Sequence, residues 1–384
     1  MSDFDNIRPY TEEEALEAFK RIAKHPALPM ISKYLFPKEQ SNVLAKALKA
    51  VGSINEFQDT VMIAVVTSVL ARTSGGFTVS GLENLEKLKG KKFLAVSNHR
   101  DIVLDPALIQ YALHNAGLPF TQICVGNNLL SSQLVEDLMR SNRMVIVIRG
   151  ISARELYLSS QVLSKYIRQT ITSGEASIWI AQREGRTKNG VDTTEQGLLK
   201  MFDMSGEADF VSNFEELNIL PLSISYEYEP CDAKKAREIV MKQAEGSYKK
   251  KKNEDLHSIL TGIRQEKGSI HLTFGEPLTH EEIVAASSCS GNDRYQAIRH
   301  ALDQRIISGY HLFKTNYIAY DMMRGVSDYI GIKYLPQDVV DFSKYLNHKL
   351  NKIEKRLDRD ALQKVFLEIY GKPVESALLL ESKD

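Results

Sequence analysis

Between residues 77 and 278 short apolar runs alternate with helical stretches, and this alternation constrains the fold more than any other feature of the chain. FTVSGL (77–82), KFLAVS (92–97), QICVG (122–126), MVIVIRG (144–150), ASIWIAQ (176–182), ILPLSISYEY (219–228) and SIHLTFGEPL (269–278) read as strands. DPALIQYALHNAG (105–117), NLLSSQLVEDLMRS (128–141) and ARELYLSSQVLSKYIRQTITSG (153–174) read as helices between them. Strands separated by helices require crossover connections, so the expected fold is α/β, with a largely parallel central sheet flanked by helices. Residues 11–72 and the stretch after 280 are helical in pattern. The expected organisation is an N-terminal helical region (1–75), an α/β domain (76–280) and a C-terminal helical region (281–384).

Several function classes drop out early. Lys plus Arg and Asp plus Glu number 49 each, so net charge gives no reason to expect a nucleic-acid partner. Cys124, Cys231 and Cys289 are far apart, lack metal-ligand spacing and read as reduced thiols. The N-terminal sequence MSDFDNIRPYTEEEALEAF is acidic and polar, unlike a signal peptide. The most apolar run, VMIAVVTSVLA (61–71), is too short to span a bilayer and reads as a buried helix. A membrane, if one is involved, is touched rather than crossed.

In a parallel sheet, functional side chains gather beyond the carboxyl ends of the strands. His99 follows one strand in SNHRDIVLDP (97–106), Arg149 follows a second, and QREGRTKNG (182–190) follows a third. A histidine titrates near neutrality and serves as a base once a carboxylate orients its ring. Asp101 and Asp105 are both candidates for that carboxylate, although Asp105, just before Pro106, also suits a helix cap. In the third segment Gly185 lets the backbone approach a ligand, and Arg183, Arg186 and Lys188 suit a phosphate. A zinc site at His99 lacks further clustered ligands, and Ser97 lacks the context of a nucleophilic serine.

Taken in order, these segments resemble the glycerolipid acyltransferase superfamily, the glycerol-3-phosphate and 1-acylglycerol-3-phosphate acyltransferases. The family's Asn-His, four residues, Asp block is matched by SNHRDIVLDP, its strand ending in a basic residue by NRMVIVIRG, its Glu-Gly-Thr-Arg block by REGRTK, and its strand with proline by ILPLSISY. FTVSGLENL and LTFGEPL extend the likeness to roughly residues 75–280. Two departures stand out. Five residues rather than four separate His99 from Asp105, and the third block reads Glu-Gly-Arg-Thr. Asp105 keeps the Leu-Asp-Pro register and is preferred over Asp101; either Arg186 or Lys188 stands for the family's arginine.

The resemblance implies an O-acyltransferase of phospholipid synthesis, with His99 as general base and Asp105 or Asp101 behind it. Arg149, Arg186 and Lys188 would hold the acceptor's phosphate, with Glu184 and Gly185 beside them. It implies no bound cofactor; acyl-coenzyme A or acyl-acyl carrier protein would be the donor substrate. The acceptor would be glycerol 3-phosphate or its monoacyl form, and the enzyme would be cytoplasmic and peripheral to the membrane. An amino-lipid or lysophospholipid acceptor, or a lipid-binding protein without catalysis, is the alternative. The lysines of YKKKK (248–252) lie in an apparent loop, and ISKYLFPK (31–38) mixes aromatic and basic residues as an interface would.

Overall fold

The computed structural model describes residues 3–150, 152–251 and 253–382. Its centre is one seven-stranded sheet: β1 (Gly76–Ser80), β2 (Leu94–Ser97), β3 (Gln122–Gly126), β4 (Met144–Val147), β5 (Ile178–Ala181), β6 (Leu220–Tyr226) and β7 (Ser269–Phe274). The strand order is β1-β7-β6-β2-β5-β3-β4. Pairing is parallel throughout except between β6 and β7, so β7 and β1 run against the other five. All seven strands sit where the apolar runs place them. β2 is buried along its whole length, which is why it reads as an unbroken apolar run rather than an alternating one.

The order matters for function. Because β2, β5, β3 and β4 are parallel neighbours, their carboxyl ends open on one edge of the sheet. The loops after Ser97, Ala181, Gly126 and Val147 therefore lie side by side along it.

Two apolar layers cover the sheet. One face packs against the helix Leu104–Asn115 and the N-terminal helices, through Phe19, Phe57, Leu108, Ile109 and Trp179. The other packs against helices Ala153–Thr172, Gln196–Asp203 and Asp293–Ser308, through Ile167, Phe202, Ile298 and Leu302. The N-terminal helices thus share the sheet's own core. A third cluster, around Phe342, Phe366 and Tyr370, joins helix Asp232–Glu245 to the chain's final helices.

Some local expectations change. Residues 128–141 are not one helix: a 3-10 turn at Asn127–Leu129 precedes a helix at Gln133–Ser141, whose Val135 amide is capped by Ser132. The run 61–71 belongs to a helical segment, Ile54–Thr73, long and apolar enough by composition to cross a membrane. In the fold one side of it is buried, through Phe57, Val61, Val66, Val69 and Leu70. In 31–38, Leu35 is buried and the guanidiniums of Arg72 and Arg264 lie over the Tyr34 ring, so the segment packs between helices. Residues 248–251 form a loop joining helices Asp232–Glu245 and Glu254–Arg264; Lys252 lies outside the described residues.

Candidate active site

The chain leaves β2 through Asn98 and turns at once. Asn98 bridges to β6, donating to the Ile224 carbonyl at 3.1 Å and accepting from its amide at 2.8 Å. His99 follows, its side chain 14% exposed, with Nδ1 2.9 Å from Asp105 Oδ2. The Asp105 carboxylate is fully buried. Its Oδ2 also accepts from the amides of Arg100 (2.5 Å) and Asp101 (2.9 Å), and its Oδ1 from the Tyr226 hydroxyl (2.7 Å).

Burial alone would raise the Asp105 pKa, but His99, the Asp101 amide and Tyr226 together hold it below the ordinary carboxylate value. The carboxylate is therefore ionised and can only accept. Nδ1 of His99 then carries the ring proton and Nε2 the lone pair. Nε2 makes no hydrogen bond among the described residues. The Trp179 ring meets the imidazole edge-on at 5.9 Å and limits its rotation.

The two aspartates divide the work in a way the sequence leaves open. Asp101 Oδ1 accepts from the amides of Val103 (3.0 Å) and Leu104 (2.9 Å), so it caps the helix that starts at Leu104. Asp105 sits in that helix's first turn and faces back to His99. The five residues between His99 and Asp105 thus include a turn that Asp101 closes. The turn rests on Gly262, where any Cβ would collide with the Asp101 carboxylate.

His99 opens onto a cavity of about 890 Å³. Arg149, Arg183, Glu184, Gly185, Arg186 and Lys188 also line it. The Arg149 amide donates to Asn127 Oδ1 at 3.0 Å, which fixes the loop after β4 to the end of β3. Its guanidinium is 3.8 Å from the exposed Glu184 carboxylate. Gly185 has φ +69°, a conformation that opens the tight turn between Glu184 and Arg186. Arg186 keeps Nη1 buried without a protein partner, as Arg183 keeps Nε. Lys188 is ion-paired with Glu238; burial is the larger effect and leaves its pKa below the usual lysine value. Of the cationic groups, Lys188 is therefore the most committed.

Part of the remaining wall is apolar, formed by Ile123, Val125, Met144, Val147, Leu163 and Met201 among others. Cys124 also lines it, but burial pushes its thiol up to about 12, so it is not a thiolate nucleophile at neutral pH. All three cysteines are free. Among the described residues no three of His, Cys, Asp and Glu converge as a metal site would.

Residues 76–225 match the family model described as Acyltransferase. The segment is an acyltransferase domain of the glycerolipid type. No curated protein matches the chain.

The acyltransferase domain does not line this cavity alone. Lys250 and Asp255 line the same cavity from the segment between β6 and β7, beyond the matched residues. They pair with each other at 2.6 Å, and Asp255 also accepts from Asn128 at 3.1 Å. Tyr226, Asn98 and Arg100 were not singled out as contributors from the sequence. Their signal was faint but present, since Asn98 and Arg100 flank His99 and Tyr226 ends the proline-bearing strand. Asp192, whose buried carboxylate meets Arg100 at 2.5 Å, gave no signal at all.

Proposed function

We propose that this acyltransferase moves a fatty acyl group from an acyl thioester to a hydroxyl of glycerol 3-phosphate or its monoacyl form, in phospholipid synthesis. The observation that carries the reading is that His99, held by Asp105, lines one cavity together with Arg149 and Arg186.

The acceptor's phosphate binds between Arg149 and Arg186, which suit a dianion by geometry and charge. This sets the acceptor hydroxyl against Nε2 of His99. Nε2 takes the hydroxyl proton as the oxygen attacks the thioester carbonyl carbon. The resulting imidazolium is stabilised by Asp105. Collapse of the tetrahedral adduct breaks the C–S bond, and the imidazolium returns its proton to the departing thiolate. Base assistance of this kind contributes ~10²–10⁴ in rate. No acyl-enzyme forms. Glu184 braces Arg149 and is near enough to the mouth to bond acceptor oxygens.

The acyl chain occupies the apolar wall of the cavity. The donor is acyl-coenzyme A or acyl-acyl carrier protein. Leu156, Tyr157 and Leu158 are exposed beside Arg154 at the start of helix Ala153–Thr172, and Leu156 also lines the cavity. That combination supports peripheral contact with a bilayer from which lipid enters or leaves.

The test is an acyl-transfer assay with one acyl thioester and paired acceptors with and without phosphate. Transfer to glycerol 3-phosphate or its monoacyl form, with a raised KM for that acceptor in Arg149→Ala, supports the reading. Equal transfer to an amino-lipid or a lysophospholipid whose phosphate is esterified overturns the acceptor assignment.

A further inference from the structure

We propose that Asp192 and Tyr310 are positioning residues for His99, and that through Tyr310 the C-terminal helical region takes part in the reaction. Asp192 is buried and accepts four hydrogen bonds. Its Oδ1 takes one from the Thr187 hydroxyl at 2.5 Å. Its Oδ2 takes three: from Asn98 Nδ2 at 3.1 Å, Arg100 Nη2 at 2.5 Å and the Tyr310 hydroxyl at 2.8 Å. Asn98 and Arg100 are the two neighbours of His99 in sequence. Thr187, from the cationic loop after β5, donates its amide to the His99 carbonyl at 2.8 Å. One carboxylate therefore fixes the residue before His99, the residue after it, and the residue that holds its carbonyl.

The surrounding charges are balanced. Arg100 also has Glu229 at 3.7 Å, and Lys235 bridges Glu229 (2.6 Å) and the Arg100 carbonyl (2.8 Å). Two acids thus meet two bases out of water. Such clusters add little net stability over apolar packing, because desolvation offsets the attraction. What this one does supply is a fixed path for the backbone on either side of His99. Misplacement of a reacting group by about 1 Å costs on the order of 10²-fold in rate.

Tyr310 is the member that comes from the C-terminal region. It follows helix Asp293–Ser308 and is tied to the sheet on both sides: the Gly309 carbonyl accepts from Thr273 at 2.8 Å, and the His311 amide donates to Ser225 at 3.0 Å. The region is thereby anchored to β7 and β6 at the point where it meets Asp192.

The inference rests on the acyl-transfer reading for its kinetic test and not for its spectroscopic one. Tyr310→Phe removes one hydrogen bond and keeps the ring. Tyr295→Phe is the matched control, because Tyr295 donates to Asp203 at 2.6 Å away from the cavity. Tyr310→Phe is expected to lower kcat roughly tenfold with KM for both substrates within about twofold, while Tyr295→Phe leaves kcat at the wild-type value. The same kcat in both variants, or a loss in Tyr310→Phe that tracks its folded fraction, overturns the proposal. The second readout is the Nδ1 proton resonance of His99 in 15N-histidine-labelled protein. Shifting or broadening of that signal in Tyr310→Phe but not in Tyr295→Phe supports positioning even if the acceptor assignment fails. Identical signals in all three proteins overturn it.

Discussion

Tyr226, at the end of β6, donates its hydroxyl to Asp105 at 2.7 Å, so the carboxylate behind His99 is held by a strand adjacent to the one that delivers the histidine. The pair is completely buried; burial foremost, and then Asp105, push the Tyr226 phenol well above its ordinary pKa. Tyr226 therefore remains a donor at every working pH. Tyr226→Phe leaves Asp105 with one oxygen unsatisfied. The variant is expected to lose ~1–3 kcal/mol of stability, the usual value for a hydrogen bond to a buried charge. Chemical denaturation measures it, and kcat should fall while substrate binding is retained.

The division of labour between the two aspartates predicts opposite phenotypes. Asp105→Asn breaks the pairing with His99 and is expected to reduce kcat by about 10²–10⁴-fold, with the fold intact. Asp101→Ala removes a helix cap and is expected to cost about 0.5–2 kcal/mol of stability with far less effect on kcat. Kinetics and thermal melts on the two variants, side by side, decide it. A reversal of the two patterns would return Asp101 to the role of partner.

Acid sensitivity follows from the same carboxylate. Its folded pKa lies below the ordinary value, so the unfolded chain binds the proton more readily. The stabilisation from Asp105 is complete above the unfolded value of ~3.9. It is lost as pH falls from there through the folded value. Asp105→Asn lacks this contribution. The stability gap between wild type and Asp105→Asn should thus be widest near neutrality and narrow below about pH 4, as read by urea denaturation from pH 3 to 7.

Cys124 provides a check on the route of transfer. Its thiol, raised to about 12 by burial, remains protonated at neutral pH although it lines the cavity. Cys124→Ser is expected to keep kcat within about threefold, since a neutral thiol is not the nucleophile. Mass spectrometry of enzyme mixed with acyl thioester should find no acyl group on Cys124.

The central strands were legible because β2, β3, β5 and β6 are buried almost throughout and so read as continuous apolar runs, while β1 and β7 alternate in burial as half-covered strands do. His99, Arg149 and the 183–188 loop were legible because they follow those runs directly. The role of Asp101 was not, because its cap depends on a turn fitted against Gly262, more than 150 residues away. Asp192 and Tyr310 were invisible for the same reason: long-range hydrogen bonds between ordinary residue types leave no periodic trace. The C-terminal region was legible as helical, but not that Arg359–Glu381 runs on as a single helix. Pro373 lies inside it, and Gly371 serves close packing against Tyr320 and Met323 rather than a break.

The most direct measurement is acyl transfer by wild type and His99→Ala, followed by thiol release from an acyl thioester with glycerol 3-phosphate and with its monoacyl form. The account predicts turnover in wild type, a loss of about 10²–10⁴-fold or more in kcat for His99→Ala, and retained acceptor binding. Undiminished transfer by the folded His99→Ala protein would contradict it.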